Sequence, residues 1–218
     1  MESKRKLIML GGGGHCLSAI DITERMHIFD EIVIVDPGIA FGTDIMGHKV
    51  VGGDDKLADL YKQGYRDAFI TVGSVKSTLL RRSLYEKARK IGFKFPNIID
   101  PSAIVSEHAD LSQGIFVGKK AVINSMAVID QFAIINTDAV IEHNCRIGSF
   151  SHIAVGTKIC GNVHIGNDCL IGAGITIIQG IKIGDNTIIG AGSVIISDIE
   201  SNCVAVGVPA KPIKMVGK

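Results

Sequence analysis

The chain has 218 residues, of which 46% are hydrophobic and 21% charged, with a formal charge of +1. Residues 1–97 carry 15 Lys/Arg against 12 Asp/Glu, and residues 98–218 carry 8 against 10, so neither half is a basic platform for nucleic acid. No apolar run approaches the roughly 18 residues of a membrane span, and 26 Gly against 5 Pro is not the composition of a disordered chain.

Residues 1–6 lead into four apolar residues and then four glycines, too short an apolar stretch for a secretory leader, so a cytoplasmic protein is expected. Leu7-Ile8-Met9-Leu10 reads as a buried strand. Gly11-Gly12-Gly13-Gly14-His15 then opens a helix over about 15–27, with Leu17, Ile20 and Ile28 on one face. Free N–H groups and the helix dipole at such a start favour an anion such as a phosphate; a tight turn is the plain alternative. The dinucleotide fingerprint GxGxxG would need glycine at position 16, where Cys16 stands, which disfavours an NAD-dependent enzyme.

A second strand, Ile32-Val33-Ile34-Val35, ends at Asp36-Pro37. Asp36 stands where an open parallel sheet meets a ribose or base, unless it simply opens the turn. A Gly52-Gly53-Asp54-Asp55 turn precedes a helix at 56–63, followed by a strand at 68–72 and then Gly73-Ser74. The last helix, 76–91, places Leu80, Leu84, Ala88 and Ile91 on one face. Alternating strand and helix predict a small parallel, Rossmann-like α/β domain over residues 1–97.

From Ile99 every sixth residue is aliphatic, through Val105, Leu111 and Val117, then Ile123 and every sixth Ile as far as Ile195, seventeen hexads without an insertion. The fifth place of each hexad is mostly small (Ala103, Ala121, Ala139, Cys145, Ser151, Thr157), and glycine is frequent in the second place, where a tight bend is expected. This dominates the composition: Ile alone numbers 35. A period of six fits a short strand and a turn, three sides making a coil of 18 residues, stacked as a parallel β-helix over 98–200. Residues 201–218 read as a C-terminal tail. The five cysteines show no CxxC or zinc spacing and read as reduced, buried fillers; no H-x4-H pair stands in the coils, so no metal is expected.

The hexads resemble the hexapeptide-repeat, left-handed β-helix acyltransferases, and the handedness is taken from that resemblance. Gly11–His15, Asp36, Gly73-Ser74, Ile135-Asn136-Thr137, Ile141-Glu142-His143-Asn144-Cys145, Gly148–His152, Gly161-Asn162-Val163 and Gly207–Lys211 narrow it further. With a βαβ module in front, the chain is similar to the bacterial nucleotide-sugar N-acetyltransferases of the bacillosamine and perosamine type and to the sialic acid O-acetyltransferases. The resemblance implies transfer of acetyl from acetyl-CoA to the amine of a nucleotide-linked 4-amino-4,6-dideoxy sugar, without a covalent enzyme intermediate. It implies a homotrimer with acyl-CoA between neighbouring β-helices, and nucleotide-sugar binding by residues 1–97.

On this resemblance His143 is the general base, and an imidazole titrates near neutral pH, as an amine's proton acceptor should. Family members often carry a carboxylate directly after that histidine, where this chain has Asn144. An amide can hold a tautomer by hydrogen bonding but brings no charge to an imidazolium. Glu142 is the nearby carboxylate, although in an extended segment it points away from the His143 ring. Gly161 stands 18 residues after His143, one coil above it, and is assigned the N–H that meets the thioester oxygen; a plain turn glycine is the alternative. His152 is placed near the thioester and Asn136 near the sugar amine. Gly13, Gly14, His15, Asp36, Gly73 and Ser74 are the nucleotide-sugar candidates. Lys211, Lys214 and Lys218 are candidates for CoA phosphates, or a soluble tail. Two other readings stay open: O-acetylation of sialic acid, and a non-catalytic β-helix that binds a nucleotide sugar.

Overall fold

The computed structural model describes residues 5–74 and 77–216. The chain divides into two compact units, Met1–Ile98 and Ile99–Lys218. The first is built from β1 (Lys6–Leu10), α1 (Gly14–Met26), β2 (Glu31–Val35), a small hairpin β3 (Asp44–Ile45) and β4 (His48–Lys49), α2 (Leu57–Lys62), β5 (Asp67–Ile70) and α3 (Leu79–Ile91). The main sheet runs β2-β1-β5, all parallel, with Ile8 opposite both Val33 and Ala68. Leu7 to Leu10 of the central strand are buried without alternation, as a strand covered on both faces requires.

Two helix faces differ from expectation. α1 buries Cys16, Ala19, Ile20, Ile22 and Thr23, and leaves Leu17 46% exposed and Ile28 38% exposed. Small residues at 16 and 19 let the helix lie close on the sheet, where the Cys16 thiol stands 3.9 Å from Met9 Sδ. α3 turns Arg81, Leu84 and Ala88 inward and leaves Leu80 56% exposed. Arg81 takes the inward place because its guanidinium Nη1 donates to the buried Ser74 hydroxyl at 3.1 Å, a partner the hydrophobic periodicity does not register.

The second unit is a β-solenoid in which each hexad supplies one two-residue strand. Strands eighteen residues apart pair in register: Ile123, Ile141, Ile159, Ile177 and Ile195 on one side, Ile129, Ile147, Ile165 and Ile183 on the second, Ile135, Ile153, Ile171 and Ile189 on the third. First-place aliphatics and fifth-place small residues together form one continuous core.

The sharp bend falls at the fourth place, not the second. Every fourth-place residue from Gly114 to Gly192 has a positive φ, and most are Gly, Asn or Asp, the residues that bear that conformation at least cost. Second-place glycines serve close approach instead. A Cβ on Gly148 would stand 2.5 Å from the Gly166 backbone, and one on Gly118 2.6 Å from Thr137 N. Gly148→Ala is therefore expected to destabilise the protein by about 1–3 kcal/mol, because backbone and not a side-chain tip must yield. Chemical denaturation measures it, and an unchanged midpoint would contradict the steric reading.

Several polar fifth-place residues are satisfied by the coil above, and Ser193 by Gly190 O of its own coil. The Ser151 hydroxyl donates to Gly166 O at 2.7 Å, Thr157 to Gly172 O at 2.8 Å, and the Cys145 and Cys169 thiols reach Cys160 O and Gly184 O at 3.1 Å. Burial pushes the Cys169 and Cys16 thiols up to about 11, which disfavours the reactive thiolate. Beyond residue 200 the chain forms a hairpin, not a tail: Cys203–Gly207 pairs parallel with Ile188–Ile189 and antiparallel with Ala210–Met215. The reason is that Cys203, Ala205 and Ala210 still have core to enter. Lys211 and Lys214 lie exposed on the outer strand, and Lys218 is outside the described residues.

Candidate active site

His143 occupies the third place of its hexad, between strand Val140–Ile141 and the fourth-place bend at Asn144, whose φ is 56°. It therefore projects from a corner of the coil and is exposed. Backbone bonds fix that corner from both sides: Asn144 N–H donates to Ser125 O at 3.1 Å below, and His143 O accepts from Asn162 N–H at 2.9 Å above. The imidazole edge bearing Cε1 and Nε2 lies over Gly161, so closely that a Cβ there would fall 2.5 Å from both ring atoms. Among the described residues the Gly161 N–H takes no partner. A proton acceptor and an unused N–H donor thus stand side by side, one coil apart.

The other ring nitrogen, Nδ1, is 3.2 Å from Asn144 Nδ2. That amide can meet the ring by either end; presented by its oxygen, it accepts Nδ1–H and leaves Nε2 with a free lone pair. Glu142 does not reach the ring. Its Oε2 accepts the backbone N–H of His143 at 3.2 Å, which stiffens the corner.

Asn136 and His152 form a second pair, the amide Nδ2 lying 3.2 Å from His152 Nε2 while its Oδ1 accepts the Thr137 N–H at 2.8 Å. Asn136 precedes the strand Val140–Ile141 and His143 follows it, so the two pairs flank one side of the coil. Sequence spacing gives no sign of the Asn136–His152 contact. The residues are 16 apart, not 18, and meet because one stands at a corner and the other on the strand leading to the corner above.

In the first unit the glycine loop sits at the carboxyl ends of the parallel strands. Asp36 Oδ2 accepts Gly12 N–H at 2.7 Å and its Oδ1 accepts Gly38 N–H at 2.8 Å, so its carboxylate ties the loop to the end of β2. Thr71, expected only as a residue of the strand at 68–72, clamps the same loop by donating to Gly11 O at 2.5 Å. Gly11 has a φ of +110°, and a Cβ there would meet Val72 at 2.7 Å; only glycine fits. Gly13 and Gly14 are the opposite case, with nothing within 4 Å of where a Cβ would be. Gly13 caps the thirteen-residue helix α1 without a side-chain hydrogen bond. Open space in front of uncapped helix N–H groups suits a phosphate. Gly73 lies across from His15, its Cβ position 3.9 Å from His15 Cβ, and Ser74 is buried on Arg81.

Among the described residues no group of three or more His, Cys, Asp or Glu could hold a metal, and no helix is long and apolar enough to cross a membrane.

The family profile described as PglD N-terminal domain matches residues 6–88, and those described as bacterial transferase hexapeptide (six repeats) and hexapeptide repeat of succinyl-transferase match 156–197 and 139–167. No match was found among curated protein sequences. Among solved structures, PerB from Caulobacter crescentus, in complex with CoA and GDP-perosamine, is 35% identical over 98% of both chains, with a TM-score of 0.87. The acetyltransferase domain of PglB from Neisseria gonorrhoeae, in complex with acetyl coenzyme A, is 34% identical over 97% of this chain and 100% of its own, with a TM-score of 0.90. WeeI from Acinetobacter baumannii, 20% identical over 96% of this chain and 100% of its own with a TM-score of 0.83, shares the fold. The chain belongs to the hexapeptide-repeat β-helix acyltransferases, in the group whose β-helix follows a PglD-type N-terminal domain.

Proposed function

We propose that the protein transfers acetyl from acetyl-CoA to the 4-amino group of a nucleotide-linked 4-amino-4,6-dideoxy sugar, with His143 as general base. The observation that carries this reading is the His143 ring lying over Gly161 at a corner where Nε2 and an unused N–H are neighbours. The relatives solved with CoA and GDP-perosamine or with acetyl coenzyme A supply the substrate classes.

In this reaction the sugar amine attacks the thioester carbonyl while His143 Nε2 takes a proton from it. The Gly161 N–H steadies the negative charge that develops on the carbonyl oxygen, where a fixed donor has its largest effect. The C–N bond forms, the C–S bond breaks, and the imidazolium returns the proton to the departing thiolate. With its amide turned so that Oδ1 in place of Nδ2 meets Nδ1, Asn144 accepts Nδ1–H and holds the ring in the tautomer with Nε2 free. Transfer is direct: the pair supplies a base and an oxyanion donor, and no nucleophilic side chain is needed. His152 and Asn136, joined to each other, are assigned to the thioester and the amine.

Residues 1–97 are the nucleotide-sugar domain in this reading, the pyrophosphate lying before Gly13, Gly14 and His15 and the nucleoside towards Asp36, Gly73 and Ser74. Because Asp36 already accepts two backbone N–H groups, its contribution is to shape the loop. The working assembly is a homotrimer in the cytoplasm, a reading supported by likeness to the family alone.

Release of CoA from acetyl-CoA, assayed with UDP-, dTDP- and GDP-4-amino-4,6-dideoxy sugars and with sialic acid, tests the reading. Turnover on one amino sugar is the expected result. Release with sialic acid and none with any amine would replace it by O-acetylation, and nucleotide-sugar binding without CoA binding would leave a non-catalytic binding protein.

A further inference from the structure

Between the end of β2 and Val50 the chain makes an excursion that carries the hairpin β3–β4. Its two roots are tied to the sheet edge: Asp36 N–H donates to Gly52 O at 2.9 Å, and Val51 N–H to Ile34 O at 2.8 Å. From Pro37 to Lys49 no residue is buried, and only Ile39, Ile45 and His48 are half-buried. A segment with so few buried contacts belongs to the low-stability end of a fold, so what those three side chains touch decides where it lies.

Ile39 and Ile45 both rest on the glycine loop. A Cβ on Gly12 would stand 2.5 Å from Ile39 Cδ1 and 3.1 Å from Ile45 Cδ1, and the same glycine gives its N–H to Asp36 at 2.7 Å. His48 reaches α1 instead, its Nε2 lying 3.0 Å from Glu24 Oε1. A carboxylate only accepts, so Nε2 carries a proton in this contact. Glu24 stands ten residues beyond Gly14, about 15 Å of helix, well clear of the helix start. Ile45 and His48 are register partners in the hairpin, so their side chains share one face. The two-residue turn between them is tight: Met46 and Gly47 have φ of 52° and 85°, and Gly47 N–H donates to Asp44 Oδ1 at 2.8 Å. Holding His48 on Glu24 therefore holds Ile45 on Gly12.

We infer that His48 and Glu24 form a clasp that seats the segment 37–50 on the glycine loop and keeps that loop in shape for the nucleotide sugar. They are positioning residues, acting through Ile45 and Gly12 without touching the substrate. This rests on the nucleotide-sugar reading above. The loop is read by KM for the UDP-, dTDP- or GDP-linked amino sugar that the parent turns over, and by calorimetric Kd for the matching nucleoside diphosphate. For H48A and for E24A both constants are expected to rise about two- to fivefold, the scale of one partly exposed ion pair. Turnover at saturation, KM for acetyl-CoA and the thermal midpoint should stay as in the parent. The double variant E24A/H48A should bind no more weakly than either single one, because all three lose the same interaction. H48K keeps a cation opposite Glu24 and should restore the parental constants. Unchanged constants, losses that add in the double variant, a thermal midpoint that falls in step with affinity, or a loss that H48K leaves in place would each overturn the clasp while leaving the acetyltransferase reading intact. A parent that neither binds a nucleoside diphosphate nor turns over an amino sugar would overturn both.

Discussion

His143→Ala is expected to lower turnover by roughly 10²–10⁴-fold, the range that a positioned general base contributes. The exposed ring touches Asn144 and the Gly161 surface and closes no core gap, so thermal stability and chain assembly should be unchanged. CoA release under saturating donor and acceptor measures the first, and thermal unfolding with sedimentation the second. A variant that keeps near-normal turnover would remove the histidine from the mechanism. One that loses turnover together with stability would make it a structural residue.

Gly161→Ala separates placement of the ring from its presence. The backbone at 161 is not among the left-handed positions, so alanine fits the chain there. Its methyl would fall 2.5 Å from Cε1 and Nε2 of His143, and the imidazole, being an exposed side-chain tip, can swing away. Stability should therefore move by less than about 0.5 kcal/mol, whereas turnover should fall about 100-fold, the scale of loss that a displacement near 1 Å inflicts on a reacting pair. The amide N–H survives in alanine, so the loss would report the ring's position alone. If turnover stayed within about twofold, the ring seated over Gly161 would not be the working arrangement. The contrast with Gly148→Ala is deliberate, for there the obstacle is backbone and stability is what should fall.

Much of this architecture is legible in the residues. The aliphatic ladder from Ile99 to Ile195 is an unbroken sixfold pattern, and the strand register at intervals of eighteen follows from it. That Gly161 stacks on His143 is legible for the same reason, since their separation is one coil, whereas the choice of these two residues comes from the family resemblance. What spacing does not carry is contact across a corner, and so Asn136 with His152 escapes it. Helix faces escape for another reason. Leu17 and Leu80 are more hydrophobic than Cys16 and Arg81, but the buried stripe is chosen by how near the helix can approach the sheet and by Ser74's need for a partner. The glycine pattern was visible with its purpose inverted: six-residue spacing marks the second place as special but does not distinguish a bend from a near approach. The hairpin after residue 200 lacks the hexads, and its inward residues, Cys203, Ala205 and Ala210, are too few to announce a fold.

Because each coil closes in three hexads, loss or gain of residues between His143 and Gly161 obeys a modular arithmetic. Six residues removed there would leave every remaining hexad intact and the solenoid able to wind, yet would carry the glycine a third of the way round the coil to another corner. Twelve would carry it two thirds. Lengthening the same interval by eighteen would restore the corner but slip a whole coil between the two partners, so that a different residue stood above the imidazole. The scaffold therefore tolerates drift in steps of six, while the proposed pair permits none between His143 and Gly161 and the Asn136–His152 contact permits none between 136 and 152.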